Sequence, residues 1–387
     1  MTDWTKRARG LADTLRDEGA ITGPAWHAAF AATRRHVFVP RFYQMDQYNS
    51  PRTLIEGDDA EHRDTWLEAV YANQVLITDY QVAGHHEDGA EIRSPTSSAS
   101  QPSIVAVMLD RLDVHDGQKV LEIGTGTGYN TALLCHRLGD TNVTSIDIAP
   151  RYVAEATHRL ADLDLYPRLV SGDGASGVPQ AAPYHRILAT CAIAGVPAAW
   201  IEQLADGGLI VAPLNFAGAL AKLVKTAADE VSGPLDASQA WFMPLRPAGT
   251  TGMDGIALDL PDPPTPAYAH ERTSEVDPEA LQDPDFQLWL RLQLPEGRLV
   301  PLVSEDMATV TGMVLHTADH RADFTAETGR VVQDERRLWD AVELAWRAWL
   351  RHDRPRRERI GITARADGTQ RAWLDSTDSG VSWPLPT

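Results

Sequence analysis

Basic residues, cysteines and long apolar runs are what this chain lacks, and each shortage excludes something. Its 35 Lys and Arg stand against 54 Asp and Glu, for a formal charge of −19. A nucleic-acid partner is therefore not expected, because a polyanion would be repelled. The two cysteines, Cys135 and Cys191, both lie in apolar segments, which excludes a disulfide framework and fits a reducing cytoplasm. No apolar run reaches the length of a membrane span, and no signal-peptide core precedes residue 30. The expected location is the cytoplasm, away from membranes. Internal repeats are missing too. What remains is a 387-residue chain with room for two domains and a full-sized core.

The chain is organised around residues 119–130, Lys-Val-Leu-Glu-Ile-Gly-Thr-Gly-Thr-Gly-Tyr-Asn. Val120, Leu121 and Ile123 read as a buried strand, and 130–138 as a helix stopped by Gly139. Between them Gly124, Gly126 and Gly128 alternate with Thr125 and Thr127. Glycine lets a ligand approach the backbone closely, and a helix N-terminus offers unpaired N–H groups. The spacing departs from the G-x-G-x-x-G of dinucleotide sites, and Glu122 precedes the first glycine by two residues. A tight turn without a ligand is the bland alternative.

Upstream, 5–18 and the stretch around Trp26, Ala29 and Phe30 read as amphipathic helices. His36, beside an apolar run, reads as structural rather than catalytic. Asp58, Asp59, Glu61 and Asp64 form a solvated acidic loop whose spacing fits no metal-ligand pattern. His85, His86 and Glu87 invite a zinc reading, but adjacent histidines without a third spaced ligand do not build one, and no metal is expected. A serine stretch, Ser97, Ser98 and Ser100, then runs through Gln101-Pro102 into a helix over 103–112. Ser100 either caps that helix or, with the helix N-terminus, holds a carboxylate.

Downstream, a strand over 143–148 carries Asp147, about 20 residues past the glycines, where an acid accepts hydrogen bonds from ribose hydroxyls. A helix over 152–163 and a short strand lead to Gly172-Asp173-Gly174. Asp173 is either an acceptor for an adenine amino group or an ordinary turn aspartate. Strands at 183–190 and 209–211, with a helix between them, complete a βα alternation. That alternation implies an open, mostly parallel sheet with its ligand at the carboxyl ends of the strands.

These stretches together resemble the protein-L-isoaspartate O-methyltransferases. The similarity lies in Val37-Phe38-Val39-Pro40, residues 98–102, residues 120–129, Gly172-Asp173-Gly174 through Pro179, Pro183-Tyr184, and Phe242-Met243-Pro244-Leu245, in the family's order over about 10–246. The resemblance implies an α/β, Rossmann-like S-adenosylmethionine-dependent methyltransferase domain over 1–250. It implies Ser100 as the active-site serine. It further implies S-adenosylmethionine held by Ser97, Ser98, Glu122, Gly124, Thr125, Gly126, Gly128, Asp147, Ile148, Gly172, Asp173 and Gly174. The acceptor would be a peptide or protein carrying Asp or isoaspartate; the oligomeric state is left open. Three departures surround the acceptor side: Ser98-Ala99-Ser100 for the usual Thr-Ile-Ser, a longer lead-in carrying His85 and His86, and His185 in place of an aspartate.

A Pro-rich, polar stretch over 251–283 reads as a linker. Beyond it, 284–387 reads as a smaller α+β accessory unit. Phe286, Leu288, Leu290, Leu292 and Leu294 alternate as in a half-buried strand, with partners over 299–303 and 309–315. A helix over 334–351 carries Trp339, Val342, Trp346 and Trp349 on one stripe. The tryptophans read as core. The arginines at 347, 351, 354, 356, 357 and 359 either solvate a helix end or receive an acidic peptide. Such an extension is similar to that of family members in the biosynthesis of ribosomal peptides such as graspetides and lanthipeptides. It implies methylation of an aspartyl carboxylate in a macrocyclic peptide, the ester then closing to a succinimide (aspartimide). Repair of isoaspartyl damage is the alternative, and a non-catalytic cofactor-binding regulator the alternative of another class.

Overall fold

The computed structural model describes residues 3–45, 51–85, 91–247, 268–304 and 308–385. Helices α1 (Asp3–Asp17) and α2 (Pro24–Ala32) come first. Leu11, Leu15, Trp26 and Phe30 are buried where the two pack together, as their helical spacing requires. A short α3 (Arg35–Phe38) leads into β1 (Arg41–Met45) and β2 (Pro51–Glu56), followed by α4 (Arg63–Val70), β3 (Leu76–His85) and β4 (Glu91–Ala99). These strands make an antiparallel sheet in the order β2-β1-β3-β4. Ser97 and Ser98 therefore lie at the end of β4.

The central layer follows α5 (Pro102–Arg111): β5 (Val120–Ile123), α6 (Tyr129–Leu138), β6 (Val143–Asp147), α7 (Pro150–Ala161), β7 (Arg168–Ser171), β8 (Tyr184–Ala189), α8 (Ala198–Gln203), β9 (Leu204–Pro213), β10 (Leu220–Ala227) and β11 (Glu230–Pro234). The strands from β7 to β9 run parallel in the order β7-β6-β5-β8-β9. The chain reverses its direction of winding between β5 and β8, which is where such sheets open a crevice. Alternate residues of β5 serve opposite faces: Val120 joins the core built with the N-terminal helices, while Leu121 and Ile123 join the other core.

The remaining chain forms β12 (His270–Thr273), α9 (Pro284–Gln293), β13 (Arg298–Val303), β14 (Val310–His316), β15 (Arg321–Thr325), β16 (Arg330–Gln333), α10 (Leu338–Arg351), β17 (Ile360–Arg365), β18 (Gln370–Leu374) and β19 (Ser382–Pro384). Three expectations need correcting. The alternating leucines after Phe286 sit on helix α9, not a strand. Asp283 caps its N-terminus by accepting from the Asp285 and Phe286 amides, and Phe286, Leu288, Trp289, Leu290 and Leu292 are all buried. A helix enclosed on several sides loses the polar face that would betray its period. Of the stretch expected as linker, 251–267 lie outside the described residues, and the remainder contains β12, which pairs with β16 at one edge of a five-stranded antiparallel sheet. Residues 284–387 do not close on themselves either. β17 pairs antiparallel with β11, so β17, β18 and β19 extend the central sheet to ten strands. One continuous core runs from Leu121 and Ile123 to Phe286, Trp339 and Trp346.

Trp339, Trp346 and Trp349 are core residues, Trp339 stacking on Phe324 at 4.9 Å. Most of the arginines around them are engaged inside the chain. Arg357 is buried against Asp285 at 2.8 Å, Arg359 meets Asp375 at 2.7 Å, and Arg347 pairs with Glu275. Among the described residues no helix is long and apolar enough to cross a membrane.

Candidate active site

A cavity of about 660 Å³ opens at the carboxyl ends of β5, β6 and β8. The glycine turn forms one edge. Gly124, Gly126 and Gly128 all have positive φ, at 97°, 50° and 92°, a region costly for residues with a Cβ. Their surroundings differ. A Cβ on Gly124 would lie 2.8 Å from the Thr190 hydroxyl, and one on Gly128 would lie 3.0 Å from the Ala156 methyl. One on Gly126 would meet no protein atom within 4 Å, so the open approach is at Gly126. Gly124, Thr125 and Gly126 line the cavity; Gly128 lies behind it as the N-cap of α6.

Asp147, the last residue of β6, braces this turn. Its Oδ2 accepts from the Gly126 amide at 2.8 Å and its Oδ1 from the Ala149 amide at 2.9 Å. Asp147 and Ile148 both line the cavity. Glu122 does not. It is buried below the turn, where Asn130 Nδ2 donates to it at 2.7 Å and the Thr131 hydroxyl also donates. Burial pushes its carboxyl up to about 7, against those hydrogen bonds.

The opposite wall is the serine strand. Ser97, Ser98, Ala99, Ser100 and Gln101 line the cavity. Strand β4 is fastened to α7 by the Tyr152 phenol, 2.8 Å from Asp79 Oδ2 and 2.9 Å from Thr96 Oγ1, with Arg151 also paired to Asp79. Thr78 donates to Ser97 at 2.9 Å. Gln101, without a side-chain bond, is the N-cap of α5. Ser100 therefore does not cap that helix, and among the described residues its hydroxyl has no hydrogen-bond partner. Its carbonyl accepts from Arg35 Nη2 at 3.0 Å, while the wholly buried Arg35 guanidinium lies over the Tyr129 ring at 5.2 Å. The peptide unit of Ser100 is thus held and its hydroxyl left available.

Of the Gly172-Asp173-Gly174 turn, only Gly174 reaches the cavity. Asp173 accepts from the Ala175 amide at 2.9 Å at the start of a short 3-10 turn. His36 lies among Trp4, Trp66 and Tyr71 with Nδ1 2.7 Å from the Tyr71 hydroxyl, and burial lowers its pKa. His185 accepts from the Lys119 amide at 3.0 Å, outside the cavity. His86 and Glu87 lie outside the described residues, as does the side chain of His85. Among the described residues no group of three or more His, Cys, Asp or Glu is placed to hold a metal ion.

Several lining residues escaped the sequence reading: Thr190, Cys191, Asn215, Trp241 and Arg246. Thr190 and Cys191 follow β8, so the rule of carboxyl ends could have found them. Trp241 and Arg246 flank the Phe242-to-Leu245 motif, which was the available signal. Burial pushes the Cys191 thiol up to about 12, leaving it neutral and a poor nucleophile. The lining is mainly apolar, and among the described lining residues Asp147 is the only carboxylate and Arg246 the only cation. The volume and the open glycine edge suit a ligand of nucleoside size. An acid beside them suits ribose hydroxyls. S-adenosylmethionine fits that description.

The family model for protein-L-isoaspartate(D-aspartate) O-methyltransferase matches residues 62–247. Protein-L-isoaspartate O-methyltransferase 1 of Anaeromyxobacter sp. (strain Fw109-5) is 40% identical over 175 residues, 44% of this chain and 80% of that protein. The Paracoccus denitrificans enzyme of that name is 38% identical over 175 residues, 42% of this chain and 78% of its own. A solved structure titled protein-L-isoaspartate O-methyltransferase superimposes with a TM-score of 0.52 at 19% identity, covering 95% of this chain and 99% of that one. It shares the fold, including the part beyond residue 250. With four-fifths of a 40%-identical relative matched, the chain belongs to the protein-L-isoaspartate O-methyltransferase family of S-adenosylmethionine-dependent carboxyl O-methyltransferases.

Proposed function

We propose that this protein methylates the free carboxylate of isoaspartyl residues in peptides and proteins. The observation that carries the reading is the Ser100 hydroxyl, without a partner among the described residues, in a mainly apolar cavity across from the glycine turn and Asp147. Gly124, Thr125 and Gly126, with Asp147 and Ile148, would hold S-adenosylmethionine, and Ser97 and Ser98 would line the same site. When bound, that cofactor supplies an electrophilic methyl on a positively charged sulfur.

The protein's own task is then modest. A carboxylate is already ionised at neutral pH, so the acceptor needs no general base. Ser100 donates one hydrogen bond to the acceptor and orients it; a neutral hydroxyl does this with little loss of nucleophilicity. The apolar walls exclude water, and positioning of the reactants supplies the larger part of the acceleration. Once the ester has formed, the following backbone nitrogen can attack it, releasing methanol and closing a succinimide ring.

Methylation of an aspartate in a macrocyclic ribosomal peptide is the narrower reading, and it rested on the extension beyond residue 250. That extension has a counterpart in a fold matched over 95% of the chain, and Arg347, Arg357 and Arg359 are engaged within the chain. The extension therefore does not favour maturation over repair. Mass spectrometry with a short isoaspartyl peptide, its aspartyl twin and a macrocyclic aspartyl peptide separates the cases. A gain of one methyl on the isoaspartyl peptide alone is expected. Methylation confined to the macrocycle would transfer the protein to maturation, and no methyl on any of the three would leave a cofactor-binding regulator.

A further inference from the structure

Arg246 stands apart from the arginines that the described structure commits to ion pairs or hydrogen bonds, and it lines the cavity. It follows Phe242-Met243-Pro244-Leu245, a segment locked to the residue after Cys191. The Ala192 amide donates to the Met243 carbonyl at 2.9 Å, and the Leu245 amide donates to the Ala192 carbonyl at 2.8 Å. Leu245 then packs toward Gly174, where an added Cβ would lie 3.0 Å from its Cδ1. The backbone leading to Arg246 is thereby fixed at the mouth of the sheet's crevice, and its side chain lines the cavity with Ser100, Thr190 and Asp147.

Many other arginines of the chain are committed: Arg35 to a carbonyl and a ring, Arg151 to Asp79, Arg159 to Glu155, Arg186 to backbone carbonyls. Among the described residues Arg246 has neither a hydrogen bond nor an ion pair. Asp147, the lone acid among the described residues of the same walls, already receives the Gly126 and Ala149 amides. The charge of Arg246 is nonetheless felt inside, where it lowers the Tyr152 phenol and the Cys191 thiol against the upward push of burial. A chain of net charge −19 repels an anionic acceptor at long range. A guanidinium without a described partner in a mainly apolar cavity reverses that locally, and carboxylate is an anion whose two oxygens match its planar fork.

We infer that Arg246 is a carboxylate-binding residue of the cavity, an assignment that rests on the methyltransferase reading above. Two carboxylates enter such a site: the acceptor's and the one on the amino-acid end of the methyl donor. If the acceptor is the source, the guanidinium holds one oxygen and leaves the other to attack.

Calorimetric binding to the full-length protein and to Arg246→Met and Arg246→Lys tests this without turnover. In the acceptor arm, an isoaspartyl peptide is compared with the same peptide bearing the neutral isoasparagine amide, both in the presence of S-adenosylhomocysteine. In the donor arm, S-adenosylhomocysteine is compared with methylthioadenosine, which lacks the amino-acid end. The wild type is expected to prefer the carboxylate ligand. Arg246→Met should shrink that preference by about ten- to a hundred-fold in one arm, the usual weight of a hydrogen bond to a charged group, and Arg246→Lys should keep most of it. The arm that responds names the source. Preferences unchanged in both arms for Arg246→Met would overturn the inference. Failure of the underlying reading is seen separately, as a wild type that transfers no methyl to any carboxylate.

Discussion

At the scale of single residues, the site depends on which hydrogen-bonding groups are already spent. Ser100 keeps its hydroxyl because Arg35 takes its carbonyl and Gln101 takes the cap position. Removing that hydroxyl should matter only when an acceptor is present. Ser100→Ala is expected to lower kcat/KM for an isoaspartyl peptide by about ten- to a hundred-fold, with binding of S-adenosylhomocysteine unchanged. Full activity at subsaturating peptide would remove Ser100 from the site. Ser100 could be found in the sequence because a serine run ending in Gln-Pro marks a helix start. Arg35 could not, since its partner is the carbonyl of Ser100, 65 residues away. Arg246 escaped for a different reason: whether an arginine is paired is decided by neighbours that only the folded chain brings near.

Between residue and fold lie the joints that fasten one element to the next, and Glu122 is the clearest. It ties β5 to the first turn of α6 through Asn130 and Thr131. Its carboxyl ionises near 7 when folded, against an ordinary 4.5, because burial disfavours the charge. Between those two values the folded protein binds more protons than the unfolded chain, so stability falls as pH rises through the window. The penalty is absent below about 4.5 and complete above about 7, where it reaches roughly 3 kcal/mol. Glu122→Gln keeps the shape and removes the titration. Its stability relative to wild type, from urea unfolding at pH 5 and pH 8, should rise by up to that amount at the higher pH. Parallel stabilities at both values would show that Glu122 stays ionised throughout. The parallel strands and their helices were legible because βα alternation writes a period of two beside one of 3.6. Helix α9 was not, since burial on several sides left leucines at alternate positions and concealed its true period. Its visible signal was Asp283-Pro284-Asp285, a capping residue followed by proline, which deserved more weight than the alternation.

For the whole molecule, the question is whether the chain beyond residue 250 is an appendage or part of the fold. Composition suggested an appendage, because proline and acidic residues cluster before it and the family motifs end at Leu245. Strand pairing says otherwise, and sequence patterns do not record which distant strand an edge will choose. β17 closes the edge of β11, and Gln370 on β18 accepts from the Val196 amide at 2.8 Å and donates to its carbonyl at 3.2 Å. Those bonds brace the segment after β8 that begins with Thr190 and Cys191 on the cavity wall. The core on that side is continuous as well, with Ile123 and Trp339 in one cluster. A chain ending at residue 247 would leave β11 with a bare edge of unpaired N–H and C=O groups, an invitation to aggregation. It would also uncover the apolar face on which the later residues pack. Such a chain is expected to aggregate or to melt well below the full protein in calorimetry, and to lose methyl transfer with its fold. The full protein should show one cooperative transition. Two separate transitions, or a stable and active chain ending at 247, would mean that the shared sheet and core are dispensable and the extension is an appendage after all.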